Sequence, residues 1–356
     1  MTDRPTYPTL PDVIEGARSA LSPAVWDWIE GGTSGEQSLA ANRAMFDRWF
    51  FAPDVMTAAP PVDLTGDFFG AKTAMPIFAA PFGSDGRMHP DRYLGVARAL
   101  AETGNTSIVS ETSTDSFGDI ASAMDGMQGM VQKTLVGSDD HVLDFAERVG
   151  AAGFRALCFT SSPAEHWRER IHRWSDELEL QKFSGIGNRA AGIANPGDLK
   201  RDPSQPRWNW ERLAAISDRL ALPWVYKGVN SAQVARIAME AGASGVYVSN
   251  FGGRNVDGML PTLDVLPDVV AEVNGRVPIL IDSGFRRGTD VVKALALGAT
   301  SVGFGRLTAF SLAAGGESAV RQTLELLHGE ITAVVGALGV SRPSQLAPRH
   351  VRRLPT

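Results

Sequence analysis

Phe145-Ala146-Glu147-Arg148-Val149-Gly150-Ala151-Ala152-Gly153 runs into Ala156-Leu157-Cys158-Phe159-Thr160, and that unit decides the fold. An alanine-rich helical stretch stops at a glycine, which takes the left-handed conformation at little cost. A short strand, apolar throughout, follows. The same order returns at 96–104 before 107–110, at 234–243 before 245–248, and at 291–299 before 301–304. Strands apolar on both faces and alternating with helices imply a parallel sheet covered by those helices.

Working outward, the candidate strands are 75–80, 107–110, 130–134, 156–160, 223–227, 245–249, 278–282 and 301–305. Eight such βα units predict a (β/α)8 TIM barrel, with its active site at the carboxyl ends of the strands. A doubly wound open sheet is the weaker alternative, because it rarely needs eight evenly repeating parallel strands. Residues 1–70 precede the first strand and read as a helical N-terminal cap, with Ser22 and Pro23 opening one helix. Residues 164–208 form a long glycine- and proline-bearing insertion after strand four, a lid or binding loop. The whole chain, 1–356, is expected to be one domain.

Composition narrows the function. The chain is 44% hydrophobic and 21% charged, as expected of a globular protein with ample core. A net charge of −6 argues against nucleic acid or an anionic membrane as partner. No apolar run approaches membrane-spanning length, and the first residues lack a signal-peptide pattern, so the expected location is cytoplasmic. Cys158, the single cysteine, lies within an apolar strand and reads as structural. No Cys/His spacing suggests a metal site.

The chemistry gathers where strands empty into loops. Val248-Ser249-Asn250-Phe251-Gly252-Gly253-Arg254-Asn255, Ile281-Asp282-Ser283-Gly284-Phe285-Arg286-Arg287-Gly288 and Phe304-Gly305-Arg306 each follow an apolar run. Glycines beside arginines suit a phosphate: the backbone comes close and guanidinium forks grip the oxygens. Lys227 ends strand five, and a lysine there must face something anionic. A bound anionic group and an ion pair with Asp282 both fit.

In these motifs the chain resembles the FMN-dependent α-hydroxy acid oxidase and dehydrogenase family, from about residue 11 to 347. The resemblance implies FMN as cofactor. It places Lys227 beside flavin N1, with Ser110, Gln132 and Thr160 hydrogen-bonded to the ring. Ala80, Pro81 and Gly83 pass near N5, and Ser249 belongs to the same set. Asp282, Gly284, Arg286, Gly305 and Arg306 form the FMN phosphate site. The family also implies a homotetramer acting on a small molecule.

The same resemblance shows what is missing. The family writes Ser-Asn-His-Gly-Gly-Arg, with histidine as base, and this chain has Phe251 there. The aspartate that holds the histidine is Ser162, and two substrate tyrosines are Trp28 and Thr134. Arg254 stands at a carboxylate-binding arginine, and Arg168 matches the second. General-base catalysis typically contributes ~10²–10⁴ in rate, so ordinary hydroxy acid oxidation is not expected. Trp28, Phe251 and Phe82 either fill the vacated space or bind an aromatic substrate. Glu111 either faces the cavity as a replacement base or points away to pair with a neighbouring arginine; His166 is a second candidate base, and His89 reads as structural. Lys227, Arg254 and Glu111 are thus the candidate catalytic set. The expected function is oxidation of an amine, a dihydro-heterocycle or another substrate needing no histidine base. The alternatives are a redox-neutral FMN-dependent isomerase or lyase, and a silent FMN-binding partner subunit.

Overall fold

A computed structural model describes residues 6–57, 61–161, 167–174, 185–190, 192–193, 196, 199 and 207–354. Ser162 and His166, with most of the 164–208 insertion, lie outside the described residues.

The eight predicted strands form a closed, wholly parallel barrel. They are β1 (Ile77–Ala79), β2 (Thr106–Ser110), β3 (Met130–Thr134), β4 (Ala156–Thr160), β5 (Trp224–Val229), β6 (Gly245–Val248), β7 (Ile279–Ile281) and β8 (Ser301–Phe304). They pair in chain order, and β8 closes on β1 with Val302 opposite Ile77. The helices between them stop as the sequence requires: Gly104, Gly153, Gly242 and Gly298 all have positive φ, between 64° and 105°. A side chain there would carry left-handed strain.

Two apolar layers follow from the alternation along each strand. Ile77, Val109, Val131, Leu157, Val246 and Val302 face the surrounding helices. Phe78, Ile108, Met130, Cys158, Val225, Tyr247 and Leu280 fill the barrel interior. Burial pushes the Cys158 thiol up to about 12, so it is no nucleophile, in line with its structural reading.

The segment before the barrel is only partly helical, which corrects the expectation for 1–70. Helices Leu10–Ala20, Pro23–Glu30 and Gln37–Ala44 are present, and the Ser22 hydroxyl accepts from Val25 N at 3.3 Å to start the second. After them, strand Trp49–Phe51 pairs antiparallel with Val351–Arg353 near the chain's end. Hairpin Gly66–Phe68/Ala71–Thr73 then places Phe68 against Phe78 in the barrel interior. Three-residue strands are too short to show a period of two, so the sequence hid them. Among the described residues no helix is long and apolar enough to cross a membrane.

Candidate active site

The carboxyl ends of the strands surround a cavity of about 380 Å³, within the range of small-molecule and cofactor sites. Ala80, Pro81, Gly83, Ser110, Gln132, Thr134, Thr160, Lys227, Phe251, Arg254, Asp282, Gly284, Arg286, Gly305 and Arg306 all line it, together with Trp28 from the cap. The dispersed strand-end residues singled out in the sequence therefore converge on one space.

Its strand side is a connected polar network. Ser110 Oγ donates to Gln132 Oε1 at 3.2 Å, and Gln132 Nε2 donates to Thr160 Oγ1 at 3.1 Å and Thr134 Oγ1 at 3.3 Å. Lys227 Nζ lies 2.8 Å from Asp282 Oδ2, which also accepts from the Tyr247 hydroxyl at 2.7 Å. Asp282 Oδ1 accepts from Ser249 Oγ at 2.5 Å and Ser283 Oγ at 2.9 Å. Thus the ion-pair reading of Lys227 holds, and the lysine also lines the cavity. Ser249 does not: it is fully buried behind the wall and accepts from Phe251 N at 3.0 Å.

The cap side holds the arginines. Arg254 Nη1 donates to the Ile29 carbonyl at 2.9 Å, and its guanidinium lies 5.5 Å from the Trp28 ring. Arg306 donates to the carbonyls of Ile29 (3.0 Å), Gly252 (2.9 Å) and Gly31 (3.2 Å). Gly252 must be glycine there, because its φ is +65° and a Cβ would run into Arg306. Arg286 is paired with Glu30 at 2.9 Å. The carbonyls at a helix C-terminus carry partial negative charge, so guanidinium groups settle there readily.

This concentration of positive charge is costly to bury. Burial, reinforced by the charges of Arg168 and Arg306, holds the Arg254 pKa well below its usual value. Burial pushes Arg168 down to about 9, with the Arg306 charge adding to it, and Arg306 down to about 10. Anionic ligands relieve that cost. Gly305 has no side chain and precedes the helix that begins at Arg306 and breaks at Gly315 and Gly316, so that helix start faces the cavity beside the arginines.

Two expectations need correction. Glu111 does not line the cavity. Its Oε2 lies 2.8 Å from Lys133 Nζ, and its Oε1 accepts from Thr134 N at 2.6 Å, so it is a buried pair behind the wall. Arg168 does not line it either. Its Nη2 donates to the carbonyls of Trp28 at 2.8 Å and Gly31 at 3.0 Å, which makes it a support of the cap. His89 accepts from Asp91 N at 3.1 Å in a turn, in keeping with a structural role. Sequence reasoning missed Leu39, Asn42 and Arg43, which bring one face of the Gln37–Ala44 helix to the cavity. Their i, i+3, i+4 spacing was the available signal. It also missed Tyr247 beneath Asp282, and Glu30.

The profile of the FMN-dependent dehydrogenase family matches residues 17–353. The chain belongs to that family. It is 33% identical over 344 residues to 4-hydroxymandelate oxidase of Amycolatopsis orientalis, covering 94% of this chain and 95% of that protein. It is 32% identical over 343 residues to glycolate oxidase of Spinacia oleracea, covering 94% and 93%. A crystal structure of mandelate oxidase superposes with a TM-score of 0.89 at 33% identity, covering 98% of this chain and 99% of that one. This member of the FMN-dependent dehydrogenases is therefore an oxidoreductase, and FMN is its cofactor.

The residues present fit that group. The arginine cluster and open helix start suit a dianionic phosphate, and the strand-side donors and acceptors suit a flat heterocycle edged with both.

Proposed function

We propose that the chain is an FMN-dependent oxidoreductase acting on an anionic, hydrophobic substrate by a route that needs no histidine base. Ser110, Gln132, Thr160 and Lys227 would hold the ring, with Ala80, Pro81 and Gly83 near it, and Asp282 fixes Lys227. Gly284, Gly305, Arg286 and Arg306 take the phosphate. One observation carries the departure from hydroxy acid oxidation. Among the described residues lining the cavity, the titratable groups are Arg43, Lys227, Arg254, Asp282, Arg286 and Arg306. Asp282 is the single carboxylate in that set, and four donors already engage it. Among those described residues no group is left to accept a hydroxyl proton.

When bound, FMN supplies a two-electron acceptor. Arg254 offers a fork for a carboxylate or another oxyanion, and Trp28 flanks it. Phe251, φ +57° and part-buried, keeps water from the space above Lys227 and takes no proton at any pH. A substrate that loses hydride here must stabilise its own cation. An amine bound as its free base, its ammonium proton already lost to water, does so, because the nitrogen lone pair forms the C=N bond as the C–H bond breaks and hydride departs, giving an iminium that water later hydrolyses. A dihydro-heterocycle does so by aromatising. An alcohol leaves a protonated carbonyl and needs the missing base.

The test is anaerobic bleaching of the flavoprotein by aromatic amino acids and amines, run beside L-lactate and mandelate. Bleaching by an amine supports the reading. Bleaching by either hydroxy acid at a rate comparable to a histidine-bearing relative would falsify it.

A further inference from the structure

The last residue of helix Pro23–Glu30 places a carboxylate among the arginines assigned to the phosphate. Both oxygens of Glu30 lie 2.9 Å from Arg286 Nη2, and Oε2 lies 3.7 Å from Arg306 Nε. The two arginines differ in what else they hold. Arg306 is committed to three backbone carbonyls through Nε, Nη1 and Nη2. Arg286 holds the Glu30 side chain, so its fork is free to exchange one anion for another. Glu30 can also leave without the helix. The carbonyls of Trp28, Ile29 and Gly31 stay clamped by Arg168, Arg254 and Arg306 when the carboxylate swings away.

A carboxylate and a phosphate dianion on one guanidinium repel each other at close range, and the repulsion is weakly screened in a part-buried site. We propose that Glu30 competes with the cofactor phosphate for Arg286 and so sets how tightly the chain holds FMN. This rests on the reading of Arg286 as a phosphate ligand. Glu30 and the phosphate draw on the same guanidinium, so the phosphate takes Arg286 at a cost in affinity. The charge, not the reach of the side chain, does this.

The experiment compares wild type with Glu30→Gln and Glu30→Asp, titrating FMN and riboflavin into protein freed of flavin and reading flavin fluorescence. Glu30→Gln should hold FMN about tenfold more tightly than wild type, because one negative charge is removed beside the phosphate. Riboflavin, which lacks the phosphate, should bind both proteins equally, and Glu30→Asp should stay near wild type. Unchanged or weaker FMN binding in a Glu30→Gln protein with native circular dichroism overturns the competition. Equal tightening for FMN and riboflavin also overturns it, since the phosphate is then irrelevant. Equal affinity of wild type for FMN and riboflavin instead refutes the phosphate assignment of Arg286 itself.

Discussion

On the strand side of the cavity, Gln132, Lys227 and Asp282 are held by partners that the barrel supplies. On the cap side, Trp28 and Leu39 present hydrocarbon with Phe251 facing them, and Arg43, Arg254, Arg286 and Arg306 supply the charge. The first wall is a network in which each polar group depends on the next, so a single change leaves a buried partner unsatisfied. The second is shape plus guanidinium groups, and its hydrocarbon residues can be exchanged with little effect on the barrel. A chain can therefore keep a cofactor while its chemistry toward substrate changes.

The largest expected effect tests the backing of the strand wall. Glu111→Gln leaves Lys133 buried and unpaired, and should lower stability by about 3–5 kcal/mol in urea unfolding. The double variant Glu111→Gln with Lys133→Met should recover most of that. A loss below about 1 kcal/mol in the single variant would show that the wall is not a network.

Next comes Asp85, buried behind the β1 loop and accepting from Tyr93 N at 2.8 Å and Thr114 N at 2.9 Å. Burial pushes its carboxyl up to about 6. The folded protein thus holds that proton more tightly than the unfolded chain, whose carboxyl titrates near 4. The stabilisation is complete below about pH 4 and is lost as pH rises through about 6. Relative to Asp85→Asn, which cannot titrate, wild type should lose roughly 3 kcal/mol between pH 4 and 7. A pH-independent difference between the two proteins would contradict it.

On the cap side, Arg254→Lys should weaken binding of an aromatic carboxylate about 10- to 100-fold while FMN stays bound, since lysine has no fork. Flavin absorbance during ligand titration measures both. Loss of flavin together with ligand binding would move Arg254 into the cofactor wall and blur the comparison.

The smallest effect is expected from Phe251→His, which should create no lactate or mandelate oxidation. A base acts only when held within reach of its proton, and among the described cavity-lining residues no free carboxylate stands ready to orient the ring. Flavin bleaching by mandelate in this variant alone would show that the cap side needs a single residue to recover the family's ordinary chemistry.

The barrel was legible because its signal repeats: apolar runs between glycine-stopped helices fixed all eight strands to within about three residues at each end. The strand-side site was legible for the same reason, since a residue ending a buried strand has one place to go. Glu111 and Arg168 were not, because sequence position gives no side-chain direction. Glu111 turned outward to Lys133, and Arg168 turned to the helix carbonyls. Glu30 escaped notice because its role arises from Arg286, more than two hundred residues away.

The pairing of Trp49–Phe51 with Val351–Arg353 has a consequence in time. Trp49–Phe51 is made before the barrel, yet it finds its partner only after all eight barrel strands have been synthesised. The Leu10–Ala20 region likewise leans on the final helix, with the Tyr7 hydroxyl donating to the Ala314 carbonyl at 2.7 Å. At ordinary synthesis rates the N-terminal segment waits on the order of 15–60 s. Arg254 and Arg306, which clamp the carbonyls of Ile29 and Gly31, are themselves made long after that helix, so the arginine side of the cavity is assembled late in synthesis.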